Sequence, residues 1–282
     1  MRVLGIDVGG SRKGLDLVVM DERRRPLRVR SRVSVEALGP LIDEAAPDAL
    51  AIDAPPAWAP RGRSRLTERL LASCNLHAFN TPSAGHAEGS AFYAWMEVGF
   101  EVFAVAAERG FARYRAGDPR GTALEVFPHA SAAVLAGCLP PRGVSKKIWR
   151  ERVLRAHEVP TGELTTADRI DAALCALTGL LALEGKRFAP GDPKEGVIVL
   201  PTISLPAHPY RACPDDAQDD GTLPLFRACA CGEPSCHELT RTEFAPGHDA
   251  KRKSMLWARA RGGRDAIDEL RRRGWAMPPE MR

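Results

Sequence analysis

The sequence predicts a mixed α/β sheet flanked by helices, followed by a small C-terminal zinc-binding module. Short apolar runs that end in Gly or Pro turns alternate with segments of helical apolar spacing, a pattern typical of one α/β domain. The chain has 282 residues, of which 44% are hydrophobic and 27% charged, enough for one cored domain and an appendage. Four of the seven cysteines crowd into the last third of the chain.

The first fifty or so residues are typical of a strand meander, a helix and a further strand. We place strands at 2–8, 14–20, 26–35 and 48–54 and a helix at 35–46. The first run is apolar and ends at Gly9, and the fourth ends at Pro55, so both are predicted to be buried strands followed by turns. The third run alternates apolar and basic residues, as a half-exposed strand does.

Helices dominate the prediction for the following residues. We place helices at 64–71, 92–110, 130–137, 147–159 and 166–183, and strands at 123–127 and 197–200. The last of these helices has the clearest pattern, because Thr166 can cap it and Ile170, Leu174 and Leu177 lie on one stripe. Residues 75–90 are rich in Gly, Pro and His and have no periodicity, so we interpret them as a loop.

Composition divides the chain into three parts. We expect the α/β domain at 1–201, a Pro- and Asp-rich linker at 202–226 and a Cys-rich module with a basic helix at 227–282. No apolar run reaches the ~18 residues that a membrane helix needs, and no charged leader precedes a long apolar segment. We therefore expect a cytoplasmic protein with no membrane partner.

Five carboxylates occupy positions where chemistry can use them. Asp7 and Asp53 end two of the predicted strands, Glu125 lies within a later one, and Asp168 and Asp171 share one face of the last helix. Carboxylates brought together in this way can bind Mg²⁺ or Mn²⁺, and two such ions ~4 Å apart promote phosphodiester hydrolysis. We take Asp7, Asp53 and Asp171 as the metal ligands.

Each of these carboxylates also has an ordinary structural interpretation. A lone Asp after a strand is usually a turn or cap residue, and Asp168 suits the first turn of a helix. Asp7, Asp53 and Asp171, however, lie among apolar residues, where an unpaired charge is costly. Their joint occurrence favours a site over three separate structural roles.

The order of motifs along the chain resembles that of domain-of-unknown-function family 429. The motifs are GIDVGG, IDAPPAW, EVFP, a DxxDA helix and EGxIVLP, over roughly residues 1–201. Members of that family are predicted nucleases of the ribonuclease-H-like superfamily. The resemblance implies a ribonuclease-H-like sheet and a divalent-metal site that involves Asp7, Asp53, Glu125, Asp168 and Asp171. Family members often carry a Trp soon after the first Asp, where this chain has Ser-Arg-Lys at 11–13.

Two basic groups are candidates for binding a phosphate backbone. Arg65 and Arg69 share a helix face just after the IDAPPAW motif. Lys146, Lys147 and Arg152 belong to a second basic helix. Both groups suit a nucleic-acid partner, and the alternative for each is a solvated surface helix.

The C-terminal cysteines predict a zinc site. An odd, clustered set of cysteines in a chain without an export signal favours metal over a disulfide framework. Zinc takes four N or S ligands in a tetrahedron. We expect those ligands to be Cys229, Cys231, Cys236 and His248, with His237 and Cys213 as reserves. The alternative is a set of reduced, unpaired thiols.

These features favour a nuclease that depends on Mg²⁺ or Mn²⁺ and carries a Zn²⁺ module. Two alternatives stay open. The first motif also resembles the phosphate loop of the sugar-kinase, heat-shock-protein and actin superfamily, which would make the chain an ATP-binding phosphotransferase, although that fold needs two such domains. The chain could instead be a catalytically inactive nucleic-acid-binding protein.

Overall fold

A computed structural model describes residues 1–10 and 12–213, together with residues 227–228, 239–240 and 268. The chain divides into two compact units, Met1–Leu223 and Pro224–Arg282. In the second unit, strand Arg227–Ala228 pairs antiparallel with strand Leu239–Thr240. The predicted zinc ligands lie outside the described residues, so zinc binding stays a prediction. They are Cys229, Cys231, Cys236 and His248.

A mixed seven-stranded sheet forms the centre of the first unit. Its strands are β1 (Arg2–Val8), β2 (Leu15–Asp21), β3 (Pro26–Val33), β4 (Ala49–Asp53), β5 (Ala112–Arg113), β6 (Thr122–Val126) and β7 (Ile198–Val199). The strand order is β3-β2-β1-β4-β6-β5, and β7 also pairs with β6. The first three strands form an antiparallel meander, whereas β4 is parallel to β1 and the later strands are parallel to one another. The predicted mixed α/β class is confirmed.

In the part of the chain that the structure describes, seven helices accompany the sheet. They are α1 (Val35–Ala45), α2 (Leu66–Ser73), α3 (Ala84–Ala87), α4 (Ala94–Glu108), α5 (Pro128–Ala136), α6 (Lys146–Ala156) and α7 (Ala167–Leu183), with a 3₁₀ turn at Ala91–Tyr93. The segment predicted as a loop at 75–90 contains α3. A helix of four residues is too short to show apolar periodicity, which is why the sequence pattern does not predict it.

Two glycines let α7 pack directly on the sheet. A Cβ at Gly5 of β1 would lie 2.0 Å from the carbonyl oxygen of Ala172, and one at Gly179 would lie 2.6 Å from a methyl carbon of Val3. Both contacts are closer than real Cβ atoms allow, so any side chain at either position would push the helix away. Helix α7 begins after Thr166, whose hydroxyl accepts a hydrogen bond from the Arg169 backbone N–H at 3.2 Å.

Alternate residues of the central strands feed two separate apolar layers. Val3 and Ala51 face a core that contains the buried residues of α5, α6 and α7. Leu4 and Leu50 face a second core that contains those of α1 and α4. Among the described residues, no helix is long and apolar enough to cross a membrane.

The first residues of the predicted linker lie against the first unit. The Leu139 N–H donates to the carbonyl of Arg211, and the Cys213 N–H donates to that of Leu139, both at 2.8 Å. A disulfide joins Cys138 to Cys213. The preference for metal over a disulfide is therefore wrong for Cys213, and so is its reserve role in zinc binding. The sequence gives no sign of the pairing because the two cysteines are 75 residues apart.

Candidate metal centre

Three aspartates form a row across the end of β1 and its two neighbours. Asp7 of β1 is in register with Asp16 of antiparallel β2 and with Asp53 of parallel β4. Residues in register on adjacent strands point to the same face of a sheet. Val3, Gly5 and Asp7 are every second residue of β1, so they point to the same face of the sheet. Val3 and Gly5 contact α7 on that face, and the three carboxylates therefore lie on the α7 face too.

Helix α7 brings two more carboxylates to this row. Asp168 lies in its first turn, and Asp171 follows three residues later on the same face. Carboxylate oxygens of Asp7, Asp16 and Asp168 all lie within 4.8 Å of one another. Asp53 and Asp171 are close enough for their charges to act on each other and on Asp7. We call these five residues the acidic cluster.

Burial and mutual repulsion raise the pKa of three members of the acidic cluster. Burial is the largest cause for Asp7, whose pKa rises to about 8, and the charges of Asp171 and Asp168 add to it. Burial also raises the pKa of Asp53 well above its ordinary value, with contributions from Asp7 and Asp171. The pKa of Asp171 is raised by burial although Arg150 opposes the shift. A divalent cation would supply the positive charge that this arrangement lacks.

Two cationic side chains pair with the acidic cluster. The Lys13 Nζ lies 2.6 Å from an Asp168 oxygen, and Arg150 Nη1 lies 2.6 and 2.5 Å from the two oxygens of Asp171. Lys13 comes from the turn after β1, and Arg150 comes from α6. Five carboxylates thus face two cations, which leaves an excess of three negative charges when all the carboxylates are ionised. That excess suits one or two divalent ions with oxygen ligands.

The structure brings together four of the five predicted carboxylates, Asp7, Asp53, Asp168 and Asp171, and it adds Asp16, which sequence reasoning missed. Asp16 accepts a 2.5 Å hydrogen bond from the Ser31 hydroxyl and is only 6% exposed. A signal was present, since this Asp interrupts the apolar run of β2. Its meaning depends on the register between β1 and β2, which the sequence does not show.

Glu125 lies apart from the acidic cluster. It is in register with Ile52 and not with Asp53, so its side chain points to the other face of the sheet. There its two carboxylate oxygens accept hydrogen bonds from both terminal nitrogens of Arg65, at 2.7 and 2.5 Å. The Arg65 Nε donates to Glu68 at 2.9 Å. We call Arg65, Glu68 and Glu125 the Arg65 triad.

The Arg65 triad corrects two sequence-based interpretations. Arg65 is 1% exposed and its guanidinium is engaged by two carboxylates, so it stabilises the interior and is not placed to contact a phosphate. Glu125 serves as its partner and not as a member of the metal centre. Because the two residues are 60 positions apart, neither motif alone reveals the pair.

The other predicted phosphate-binding residues lie nearer the surface. Arg69 is exposed on α2, where its Nη1 donates to the Ser64 carbonyl at 2.7 Å. Lys146 and Lys147 are exposed in the first turn of α6, and Arg152 is half-buried. Lys146 lies one turn before Arg150, so it shares the face of α6 that reaches the acidic cluster.

A comparison with protein families places the whole acidic cluster within a known domain. A family described as "Protein of unknown function (DUF429)" matches residues 5–195. The chain belongs to the DUF429 family. The resemblance inferred from the motif order is therefore confirmed, and no curated protein matches the chain.

The DUF429 match includes all five residues of the acidic cluster. It begins before Asp7 and extends beyond Asp171 into the segment that precedes β7. The family description names no activity.

Proposed function

We propose that this DUF429 protein is a divalent-metal-dependent phosphodiesterase that acts on nucleic acid. The observation that supports it best is the convergence of Asp7, Asp16 and Asp168, with oxygens within 4.8 Å of one another. Carboxylates of three different elements are held together there although their repulsion is costly. Such an arrangement is expected where a bound cation offsets the repulsion.

The chemistry of the donor set fits Mg²⁺ or Mn²⁺. All five members of the acidic cluster offer carboxylate oxygens, the ligands that hard cations prefer. Asp7, Asp16 and Asp168 would hold one ion, and Asp53 and Asp171 lie beside them for a second. Divalent ions bound there would activate a water molecule and stabilise the leaving oxygen of a phosphodiester.

The protein's own side chains contribute orientation and charge. Arg150 fixes the Asp171 carboxylate by contact with both of its oxygens, so this ligand has little freedom to rotate. Lys13 holds Asp168 and is itself about half-exposed, which leaves its ammonium within reach of a substrate phosphate. Lys146, on the Arg150 face of α6, can contact a phosphate further along the backbone.

A cleavage panel tests the proposal. Labelled single-stranded, duplex, hybrid and branched nucleic acids are incubated with the full-length protein and Mg²⁺ or Mn²⁺. We expect cleavage of at least one substrate, which chelation of the metal abolishes. Cleavage that survives complete chelation would exclude the mechanism, and so would the absence of cleavage from the whole panel.

The same preparation separates the two alternatives. The ATP-binding phosphotransferase alternative needs two domains of this kind, whereas the described residues of the first unit contain a single seven-stranded sheet. A phosphotransferase would show a thermal shift with ATP and Mg²⁺ that Mg²⁺ alone does not produce. An inactive nucleic-acid-binding protein would bind the panel without cleaving it.

A further inference from the structure

A cavity of about 650 Å³ lies beyond the carboxyl end of β4. The aromatic residues Trp58 and Tyr93 line it, together with parts of the segment 84–97. Its volume falls in the range of small-molecule sites. The proposed function of the acidic cluster makes no use of this cavity.

Four aromatic rings run in a row from this cavity to the surface. Ring centroids are 6.2 Å apart for Trp58 and Tyr93, 5.1 Å for Tyr93 and Phe92, and 5.6 Å for Phe92 and Phe79. All three contacts are edge-to-face, so each of them occupies a face of only one of its two rings. Phe79 is 65% exposed and Phe92 is 55% exposed. We call these four residues the aromatic row.

Two arginines lie on a segment that is hydrogen-bonded to the start of the cavity-lining segment. The Ala59 N–H donates to the Pro82 carbonyl at 2.9 Å, and the Ser83 N–H donates to the Gly62 carbonyl at 2.8 Å. These bonds hold the segment with Arg61 and Arg63 against the start of the cavity-lining segment. Both arginines are exposed, and within the described part of the chain neither forms an ion pair.

The charges around the cavity divide into two kinds. Glu88 and Glu97 line the cavity itself, whereas Arg61 and Arg63 lie outside it. Carboxylates repel phosphates but accept hydrogen bonds from the amino groups of bases. The arrangement suits a nucleotide chain whose bases enter the cavity and whose phosphates stay outside with the arginines.

The cavity and the acidic cluster lie at the same end of β4. Trp58 follows Asp53 by five residues, which span at most about 18 Å. Gly99 of α4 packs on the residues between them, since a Cβ there would lie 2.5 Å from the Ala54 Cβ. The cavity is lined in part by α4, whereas the acidic cluster lies on the α7 face, so a strand bound along the aromatic row would pass around the end of β4 to reach the acidic cluster.

We infer that the aromatic row and its cavity bind unpaired bases, so that the substrate of this chain is a single-stranded nucleic acid. The inference rests on the proposed function, whose substrate class it names. Every base has a flat face that can stack on an aromatic ring, whatever the sequence. Bases in a duplex are already stacked and paired, so they are not available to enter the cavity.

Fluorescence anisotropy of labelled oligonucleotides tests the inference. The full-length Asp7→Asn variant is used so that binding is measured without cleavage, and the probes are oligodeoxycytidine of about 12 nucleotides, whose bases carry amino groups, and a duplex of equal length. We expect tighter binding of the single strand. In this background, Phe92→Ala and Phe79→Ala should each weaken single-strand binding on the order of tenfold, and Phe92→Tyr should not.

Matched controls separate stacking from general surface effects. Leu27 is 49% exposed on β3, away from the aromatic row, so Leu27→Ala should leave affinity unchanged. Arg61→Ala and Arg63→Ala should each reduce the slope of log affinity against log salt by about 0.7, whereas Arg23→Ala, at the opposite end of the sheet, should not. Phe92→Leu should lose affinity as Phe92→Ala does, because Leu is apolar but has no ring face.

Three results would overturn the inference. They are duplex binding as tight as single-strand binding, full affinity in Phe92→Leu, and loss of a protein dimer in Phe79→Ala, which would assign the row to self-association. Because cleavage plays no part in the measurement, single-strand binding without metal-dependent cleavage would contradict the proposed function alone. Cleavage of a duplex with no role for Phe79 or Phe92 would contradict this inference alone.

Discussion

The acidic cluster and the Arg65 triad are two groups of buried charge at the ends of neighbouring strands, and they differ in charge balance. In the triad, Arg65 donates to Glu68 and Glu125, all three are at most 6% exposed, and each carboxylate has a direct cationic partner. In the acidic cluster, five carboxylates share Lys13 and Arg150. A nearly balanced buried group stabilises a fold, whereas an unbalanced one calls for a ligand that completes it.

The largest expected effect is on catalysis. Asp7→Asn keeps the shape of the side chain but removes a charge from the centre of the acidic cluster. We expect cleavage to fall on the order of 10³-fold, because lost metal stabilisation amounts to several kcal/mol. Steady-state cleavage rates measure the loss, and circular dichroism checks that the variant is folded. Near-normal activity in Asp7→Asn would show that the cluster is not the catalytic site.

Substitution in the Arg65 triad should lower the stability of the fold, whereas substitution in the acidic cluster lowers cleavage. Glu125→Gln leaves Arg65 without one of its two partners in the interior, so the free energy of unfolding should fall by about 3–5 kcal/mol. Urea-induced unfolding measures this free energy. The matched control is Asp43→Asn, which removes an exposed pair with Arg109 and should cost under about 1 kcal/mol. Equal losses in the two variants would contradict the structural role of the triad.

Asp16 should show an intermediate effect on activity. If it is a ligand, as its distance from Asp7 and Asp168 indicates, Asp16→Asn should lower cleavage by about 10- to 100-fold. Ser31→Ala removes only the hydrogen bond to Asp16 and should cost less. The prediction fails if Asp16→Asn retains full activity at saturating metal.

The smallest expected effect is on the stability of the metal-free protein. Burial raises the pKa of Asp7 from its ordinary value of 3.8 to about 8 in the folded chain, so between these pH values the folded state holds a proton that the unfolded chain releases. Stability contributed by that proton is fully present below about pH 4 and is lost as the pH rises toward 8. Asp7→Asn should remove this dependence and raise Tm at pH 8 by several degrees.

Thermal unfolding of the metal-free protein at several pH values measures this effect. Asp48→Asn is the control, because Asp48 is paired with Arg120 and its removal should lower Tm at every pH in the range. A wild-type Tm that rises between pH 5 and pH 8, with no change in slope for Asp7→Asn, would contradict the account of Asp7.

The central sheet and the last helix could be predicted because their signals are local. Apolar runs ended by Gly9 and Pro55 mark β1 and β4, and Thr166 marks the start of α7. Carboxylates at the ends of parallel strands meet at one edge, so Asp7 and Asp53 were predictable as neighbours. The missing members depend on long-range packing, since Asp16 is recognised only from strand register and Arg150 only from the contact of α6 with α7.

The same limit explains the two wrong assignments. Glu125 lies in a strand, as predicted, but it is in register with Ile52 and not with Asp53, which puts its side chain on the other face of the sheet. Arg65 follows the IDAPPAW motif closely, yet it turns inward because Glu125 and Glu68 meet it there. Periodicity identifies strands and helices, and register decides which of their side chains form a site.

Titration of the full-length metal-free protein with Mn²⁺ tests the charge imbalance most directly. Mn²⁺ prefers carboxylate oxygens to thiolates, so it reports on the acidic cluster in preference to the C-terminal cysteines. Electron paramagnetic resonance of the unbound ion gives the number of ions held per chain. We expect one or two bound Mn²⁺ ions per chain for the wild type and clearly fewer for Asp7→Asn. Folded Glu125→Gln protein should bind as many ions as the wild type. No bound Mn²⁺ in the wild type, or equal binding by Asp7→Asn, would contradict the account.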